Sequence, residues 1–215
     1  IIIGADGPHS TVGRWMGMVN DHLLPGVQVT LPLRRPLTHT EIYFEPEIPG
    51  GYAWLFPKGD VANVGLGLTA NLAPPRAARR LLDRLVARLT AAGKVDNSPL
   101  AHAAGWIPAV PVRSAVKGNI LLAGDAAGHT HPITGAGIFT AVSAGKLAGK
   151  WAARAIQSED LGLLAEYDEE WQDLLGDTLQ RAAERRALME GRWADFDAII
   201  KTCWVAYREY YTHDD

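Results

Sequence analysis

Residues 119–156 read NILLAGDAAGHTHPITGAGIFTAVSAGKLAGKWAARAI, and their order decides the fold. An apolar run, Ile120 to Ala123, meets Gly124-Asp125, then a loop holding Pro132, Gly135 and Gly137, then a helix rich in small residues. Strand, glycine turn and helix start in that order make a site for an anionic cofactor. Gly124 lets backbone approach a ligand, Asp125 can accept hydrogen bonds from sugar hydroxyls, and the unpaired N–H groups of a helix start favour negative charge. Two commoner glycine loops do not fit. A dinucleotide fingerprint needs a third glycine where Thr140 stands, and a phosphate loop needs Ser or Thr after Gly145-Lys146, where Leu147 stands.

The rest of the chain sets bounds on that site. It has 215 residues, 47% of them hydrophobic, and can bury a core as one or two domains. A net charge of -3 gives no electrostatic reason to expect nucleic acid as a partner. No apolar run approaches the ~20 residues that span a bilayer, and no signal sequence opens the chain. Cys203 is the only cysteine, so neither an intrachain disulfide nor a cysteine metal cluster is open to it. The cytoplasm is the default compartment. The chain begins Ile1-Ile2-Ile3 without Met, inside what reads as a buried strand, and is expected to be the C-terminal portion of a longer protein.

Along the chain, Ile1 to Ile3 turns at Gly4-Ala5-Asp6-Gly7-Pro8, and Ser10 or Thr11 can cap a short helix through Arg14. Alternation predicts strands over 27–33 and 40–44, and a hairpin of 52–56 with 61–68 joined through Pro57-Lys58-Gly59-Asp60. In that hairpin Phe56 pairs with Val61, Trp54 with Asn63 and Tyr52 with Gly65. Pro74-Pro75 opens a helix with Leu81, Leu82, Leu85 and Leu89 on one face, and Gly93 closes it. Its other face carries Arg76, Arg79, Arg80, Arg84 and Arg88 against Asp83, which reads as a solvated face or as a membrane or partner surface. After a Pro-interrupted stretch (105–112) and the opening motif, the remainder is helical. Leu164, Tyr167, Trp171, Leu174, Leu175 and Leu179 keep helical spacing, as do Phe196, Ile199, Ile200, Cys203, Trp204 and Tyr207.

Taken together, GADG-x-x-S near the start and GDAA-x-x-x-x-P-x-x-G-x-G-I later resemble the second and third FAD motifs of flavoproteins of the para-hydroxybenzoate hydroxylase type. The stretch YAWLFPKGDVANVGLGL is similar to the Y-x-W-x-F-P-K segment of the geranylgeranyl reductase family, whose FAD-dependent members saturate prenyl double bonds. The resemblance covers roughly residues 1 to 157. It implies an α/β (α+β mixed) chain: a partial FAD-binding Rossmann-like domain (1–24, continued at 111–157), an inserted antiparallel-sheet substrate domain with one helix (25–110) and a C-terminal helical region (158–215).

By that resemblance Asp6 and Gly7 sit by the dinucleotide part of FAD and Asp125 accepts a hydrogen bond in its sugar-alcohol and phosphate region. Gly124, Ala126, Pro132, Gly135, Ala136, Gly137 and Ile138 then place backbone and a helix start beside the flavin ring. A helix start there stabilises negative charge on reduced flavin by ~0.3 to 2 kcal/mol. The small residues of the helix beyond Thr140 are read as serving its packing. Tyr52, Trp54 and Phe56 alternate on one strand face, with Gly65 leaving room beside them, and are read either as an apolar slot holding an isoprenoid chain over the flavin or as ordinary sheet core. His129 and His131, with no third ligand nearby, are read as loop residues flanking the flavin and not as a metal site. His9, His22, His39, His102 and His213 are scattered.

The expected activity is reduction of carbon–carbon double bonds in a prenyl or related lipid, with NADPH or NADH as donor, cytoplasmic or at the membrane surface through peripheral contact. No catalytic residue is assigned. Two alternatives stay open. One is a flavin monooxygenase or halogenase on the same scaffold, although Tyr52 and Phe56 depart from the halogenase pattern W-x-W-x-I-P. The other is an inactive fragment, because the glycine fingerprint for the adenosine end of FAD is absent and a missing N-terminal segment of the same protein would supply it.

Overall fold

A computed structural model describes residues 1–212; His213 lies outside the described residues. In chain order the elements are β1 (Ile2–Gly4), α1 (Thr11–Met16), β2 (Leu23–Pro32), β3 (Glu41–Tyr43), β4 (Tyr52–Lys58), β5 (Val61–Gly67), α2 (Arg76–Ala91), β6 (Ala101–Pro108), β7 (Val116–Lys117), β8 (Ile120–Leu122), α3 (Ile138–Gln157), α4 (Ala165–Trp171), α5 (Asp177–Gly191) and α6 (Phe196–Cys203). A 3-10 turn covers Gly124–Ala127, and a π-helical turn, Gln172–Gly176, joins α4 to α5. The chain divides into two compact units, Ile1–Leu23 with Ile107–Leu188 and Lys201–Asp215, and Leu24–Trp106 with Met189–Ile200.

The first unit is built on a three-stranded sheet in the order β1-β8-β7. β1 and β8 run parallel with Ile2 opposite Ile120 and Gly4 opposite Leu122, so the turns that follow both strands open on the same edge. Gly118, at φ 59°, turns β7 back as the antiparallel partner of β8. Leu121, Leu122, Ala126 and Ala127 form the core with Ala148, Trp151, Ala152 and Ala155 of α3 and Tyr167 and Trp171 of α4. The Tyr167 hydroxyl donates to the Leu122 carbonyl at 2.6 Å, which ties α4 to the strand leading into the Gly124 turn. Ile1, Ile2 and Ile3 are not buried as expected; they are 38–42% exposed. The reason is position, since among the described residues β1 is an edge strand paired with β8 alone. The π-helical turn explains the spacing of Leu174 and Leu175, because its extra residue per turn leaves Leu174 54% exposed and turns Leu175 into the core.

The second unit is an antiparallel sheet, β3-β4-β5-β2-β6, with α2 on one face. Leu81, Leu82, Leu85, Val86 and Leu89 of α2 pack on Val29, Leu31, Leu55, Val64 and Leu66. Alternation along β4 therefore turns Ala53 and Leu55 into this core, while Tyr52, Trp54 and Phe56 lie half-buried on the other face. The hairpin register differs from the expected one by two residues. Lys58 pairs with Val61, Phe56 with Asn63, Trp54 with Gly65 and Tyr52 with Gly67. The turn is the two residues Gly59-Asp60, with Gly59 at φ 63°, instead of the four counted from Pro57. A shift of two preserves which side chains share a face. Residues 101–108 form strand β6 where a Pro-interrupted stretch was expected from 105; almost all of it is exposed, so no apolar alternation marks it.

Candidate functional site

The site forms where the turns after β1 and β8 meet the start of α3. A cavity of about 500 Å³ opens there, within the size range of small-molecule sites. Its walls include Ile3, Ala5 and Gly7 from the first turn, Gly124 and Asp125 from the second, and Gly135, Gly137 and Ile138 from the helix entry. Gly7, Gly124, Asp125, Gly135, Gly137 and Ile138, all expected from sequence, thus share one cavity. Thr130, Ile107, Ala141 and Gly145 line it as well.

Two of the glycines have a local reason. Gly124 stands at φ 63°, which a side chain rarely adopts, and a Cβ there would lie 3.3 Å from the Ala141 Cβ. At Gly137 a Cβ would lie 2.9 Å from Thr130 Oγ1, so glycine keeps the helix N-cap open toward Asp125. Thr130 donates to Asp125 Oδ1 at 2.6 Å, which fixes the carboxylate in the cavity wall. The amides of Ile138, Phe139 and Thr140 open α3 and precede its intrahelical acceptors.

The other expected residues act around the cavity. Asp6 accepts from Ser10 Oγ at 2.5 Å and from the amide of Thr11 at 2.7 Å. These bonds hold its carboxyl below the usual range against the opposing effect of burial, and they pin the first turn to α1. Ala126 is buried in the core, 1% exposed, and Ala136 lies exposed in the loop, its carbonyl accepting from the His131 amide at 2.9 Å. Pro132 is held from behind: the buried guanidinium of Arg186 donates to its carbonyl at 2.7 and 3.0 Å.

The two histidines of the loop have unlike surroundings. His131 accepts from the amides of Ile133 and Thr134 at 3.3 Å each, which shapes the turn into Gly135, and its Nε2 lies 3.3 Å from the Tyr210 hydroxyl. Burial lowers its pKa, with the nearby Arg186 charge adding to this. His129 is fully buried against the Trp171 ring at 4.5 Å, with neither ring nitrogen partnered among the described residues, and burial holds its pKa down at about 4. No group of three His, Cys, Asp or Glu among the described residues is arranged to hold a metal.

Sequence reading missed Asn20. Its side-chain amide donates to the Pro8 carbonyl at 2.8 Å and to the Asp125 carbonyl at 2.9 Å, joining the two turns that wall the cavity. A lone asparagine between a helix and a strand carries no signal of that role. Arg186 was missed for the same reason.

On the second unit, Tyr52, Trp54 and Phe56 form a ladder of rings with centroids 5.7 and 5.8 Å apart, and Phe44 extends it at 6.4 Å from Tyr52. The space left by Gly65 is taken by the Trp54 indole, since a Cβ on Gly65 would lie 2.5 Å from that ring. Trp54 Nε1 donates to Gln28 Oε1 at 3.1 Å, so the indole is held flat along the sheet.

A parallel strand pair with glycine turns at its carboxyl ends in one unit, and an antiparallel sheet backed by one helix in the other, make a fold known from other proteins. Solved structures share it: a probable FAD-dependent monooxygenase, PqsL, from Pseudomonas aeruginosa (20% identity, TM-score 0.63, covering 94% of this chain and 59% of that one) and the flavin-dependent halogenase CmlS (17%, TM-score 0.68, 97% and 43%). A nearer match is a geranylgeranyl bacteriochlorophyll reductase-like protein from Thermoplasma acidophilum, at 25% identity and TM-score 0.80 over 97% of this chain and 54% of that one. Residues 35–106 match the geranylgeranyl reductase catalytic domain. Digeranylgeranylglycerophospholipid reductases of Methanopyrus kandleri and Methanothrix thermoacetophila are 38% and 36% identical, over 86% and 84% of this chain. The chain belongs to the geranylgeranyl reductase family. It spans about half the length of these curated relatives, 52% and 48%. The family and the flavoprotein neighbours support FAD as the cofactor.

Proposed function

We propose that the protein containing this chain reduces carbon–carbon double bonds in a prenyl or related lipid chain, with FAD in the cavity between the Gly7 and Gly124 turns and NADPH or NADH as the electron donor. The observation that carries the lipid reading is the aromatic face of β4, turned away from the α2 core and left half-buried. Ordinary sheet core would have placed these rings under the helix.

The cavity residues fit the cofactor. The cavity walls carry glycine and alanine at Ala5, Gly7, Gly124, Gly135, Gly137 and Ala141, which supports room for a flat ring. Asp125, braced by Thr130, accepts from a hydroxyl of the sugar-alcohol chain, and the opening amides of α3 face the negative charge that reduction brings. Bound there, FAD supplies a two-electron carrier between the nicotinamide and the alkene, one alkene carbon receiving hydride and the other a solvent-derived proton. This chain's part is to orient the cofactor, to favour its reduced form through the helix start, and to hold the apolar chain dry along Tyr52, Trp54 and Phe56. Asp6 and Gly7 lie toward the dinucleotide end in this reading. A further segment of the same protein supplies the adenosine site, a role that suits the exposed Ile1, Ile2, Ile3, Ile138 and Phe139. Peripheral contact with a membrane surface belongs to the same reading. Among the described residues no helix is long and apolar enough to cross a membrane.

Trp54→Ala in the FAD-loaded protein tests the slot. Affinity for a geranylgeranyl lipid in detergent is expected to fall about tenfold or more, the equivalent of ~1.4 kcal/mol of lost contact, while FAD affinity stays unchanged. Unchanged lipid affinity would remove β4 from the substrate site.

A further inference from the structure

We propose that the arginine face of α2 docks the protein on an anionic lipid bilayer. The proposal rests on the lipid reading above for its choice of a bilayer over an acidic protein, and on the charge distribution for the rest. α2 holds five arginines and one aspartate in a chain whose net charge is -3. Its apolar face is fixed on the sheet by Ala78, Leu81, Leu82, Leu85, Val86 and Leu89, so the arginines have one direction to face.

Two of the five have partners. Arg79 pairs with Asp83 at 3.2 Å, and Arg88 pairs with Glu45 and stacks 5.2 Å over the Tyr43 ring. Arg76, Arg80 and Arg84 are exposed, and no ion pair involves them among the described residues. Spaced at i, i+4 and i+8, they form one stripe along ~12 Å of helix. Like charges at that spacing repel.

Their position is also unfavourable for the helix itself. Arg76, Arg79 and Arg80 occupy the end where the macrodipole disfavours cations, no acidic residue stands in the first turn, and Pro75 supplies no side-chain cap. A helix selected for stability alone carries acids there. A surface that breaks local rules in this way, with only Arg79 of the three paired among the described residues, is built for an external anion. Leu72, 43% exposed just ahead of the helix, adds an apolar contact suited to the interface of a bilayer.

The test is co-sedimentation of the FAD-loaded protein with vesicles of phosphatidylcholine, with and without phosphatidylglycerol, at rising salt. Binding only to the phosphatidylglycerol vesicles, weakening with salt, is expected. R76Q/R80Q/R84Q should lower partitioning on the order of 100-fold, as ~1 kcal/mol per arginine gives, and R76K/R80K/R84K should retain most of it. Flavin content and the far-UV spectrum of both variants should match the parent, since the three side chains are exposed. Equal partitioning of the glutamine variant and the parent overturns the proposal. So does equal binding to both vesicle types, or binding to polyglutamate without binding to vesicles. Prenyl reduction assayed in detergent is read separately: if it persists while vesicle binding fails, docking alone is wrong.

Discussion

Asn20 shows how one side chain can hold a site that it does not enter. Its two amide hydrogens tie the Pro8 and Asp125 carbonyls, and so the turns after β1 and β8, to each other. Asn20→Ala removes both bonds and leaves the Asp125 carbonyl only its bond from the Gly128 amide, and we expect a loss of ~1–3 kcal/mol in denaturant unfolding together with weaker flavin binding. A destabilised variant that binds flavin as tightly as the parent would show the clasp to be structural only. His129 carries a different consequence. Its pKa of about 4 in the fold lies below the ordinary histidine value of 6.5, so it stays neutral in the native state while the unfolded chain takes up a proton. Stability is therefore undiminished above pH ~6.5, falls as pH drops through the window toward 4, and levels off below, for a total of roughly 3 kcal/mol. His131, also lowered, acts in the same direction. His129→Leu is expected to flatten part of this slope in urea titrations at pH 7, 6, 5 and 4. An unchanged slope would assign the pH dependence elsewhere.

At the scale of elements, the β4–β5 hairpin and the β8–α3 junction differ in how far a sequence exposes them. GDAAG before a small-residue helix was legible because its glycines obey steric rules: φ 63° at Gly124, and closed Cβ space at Gly137 where the helix opens. The face of Tyr52, Trp54 and Phe56 was legible from alternation, but the register was not, because Pro57 reads as a turn residue and yet continues the strand opposite Ala62. Gly65 illustrates the consequence. It receives the Trp54 indole instead of leaving an empty slot, so Gly65→Ala should displace the ring and break its bond to Gln28. We expect ~1–3 kcal/mol of destabilisation and a red-shifted tryptophan emission, and an unshifted spectrum with parental stability would refute that packing. β6 was invisible since a strand with almost no buried side chain has no pattern to read. The pairing of β1 with β8 was equally hidden, because strands far apart in sequence with only three residues each specify no partner by themselves.

At the scale of the molecule, the parallel β1–β8 pair and the aromatic sheet face belong to separate units, and the proposed reaction needs both. In the proposed reading the first unit holds FAD by backbone and small residues, on a fold shared with a monooxygenase and a halogenase. The second carries the match to the geranylgeranyl reductase catalytic domain, over residues 35–106, on which the proposal of prenyl reduction over oxygen chemistry rests. The most direct measurement is therefore anaerobic turnover by the full-length protein loaded with FAD and reduced beforehand, given a geranylgeranyl-chain lipid and followed by mass spectrometry. The account requires the lipid to gain two hydrogens for each double bond reduced, with flavin reoxidised in step and no oxygen present. A lipid left unchanged without oxygen, but hydroxylated or halogenated once oxygen is admitted, would contradict it.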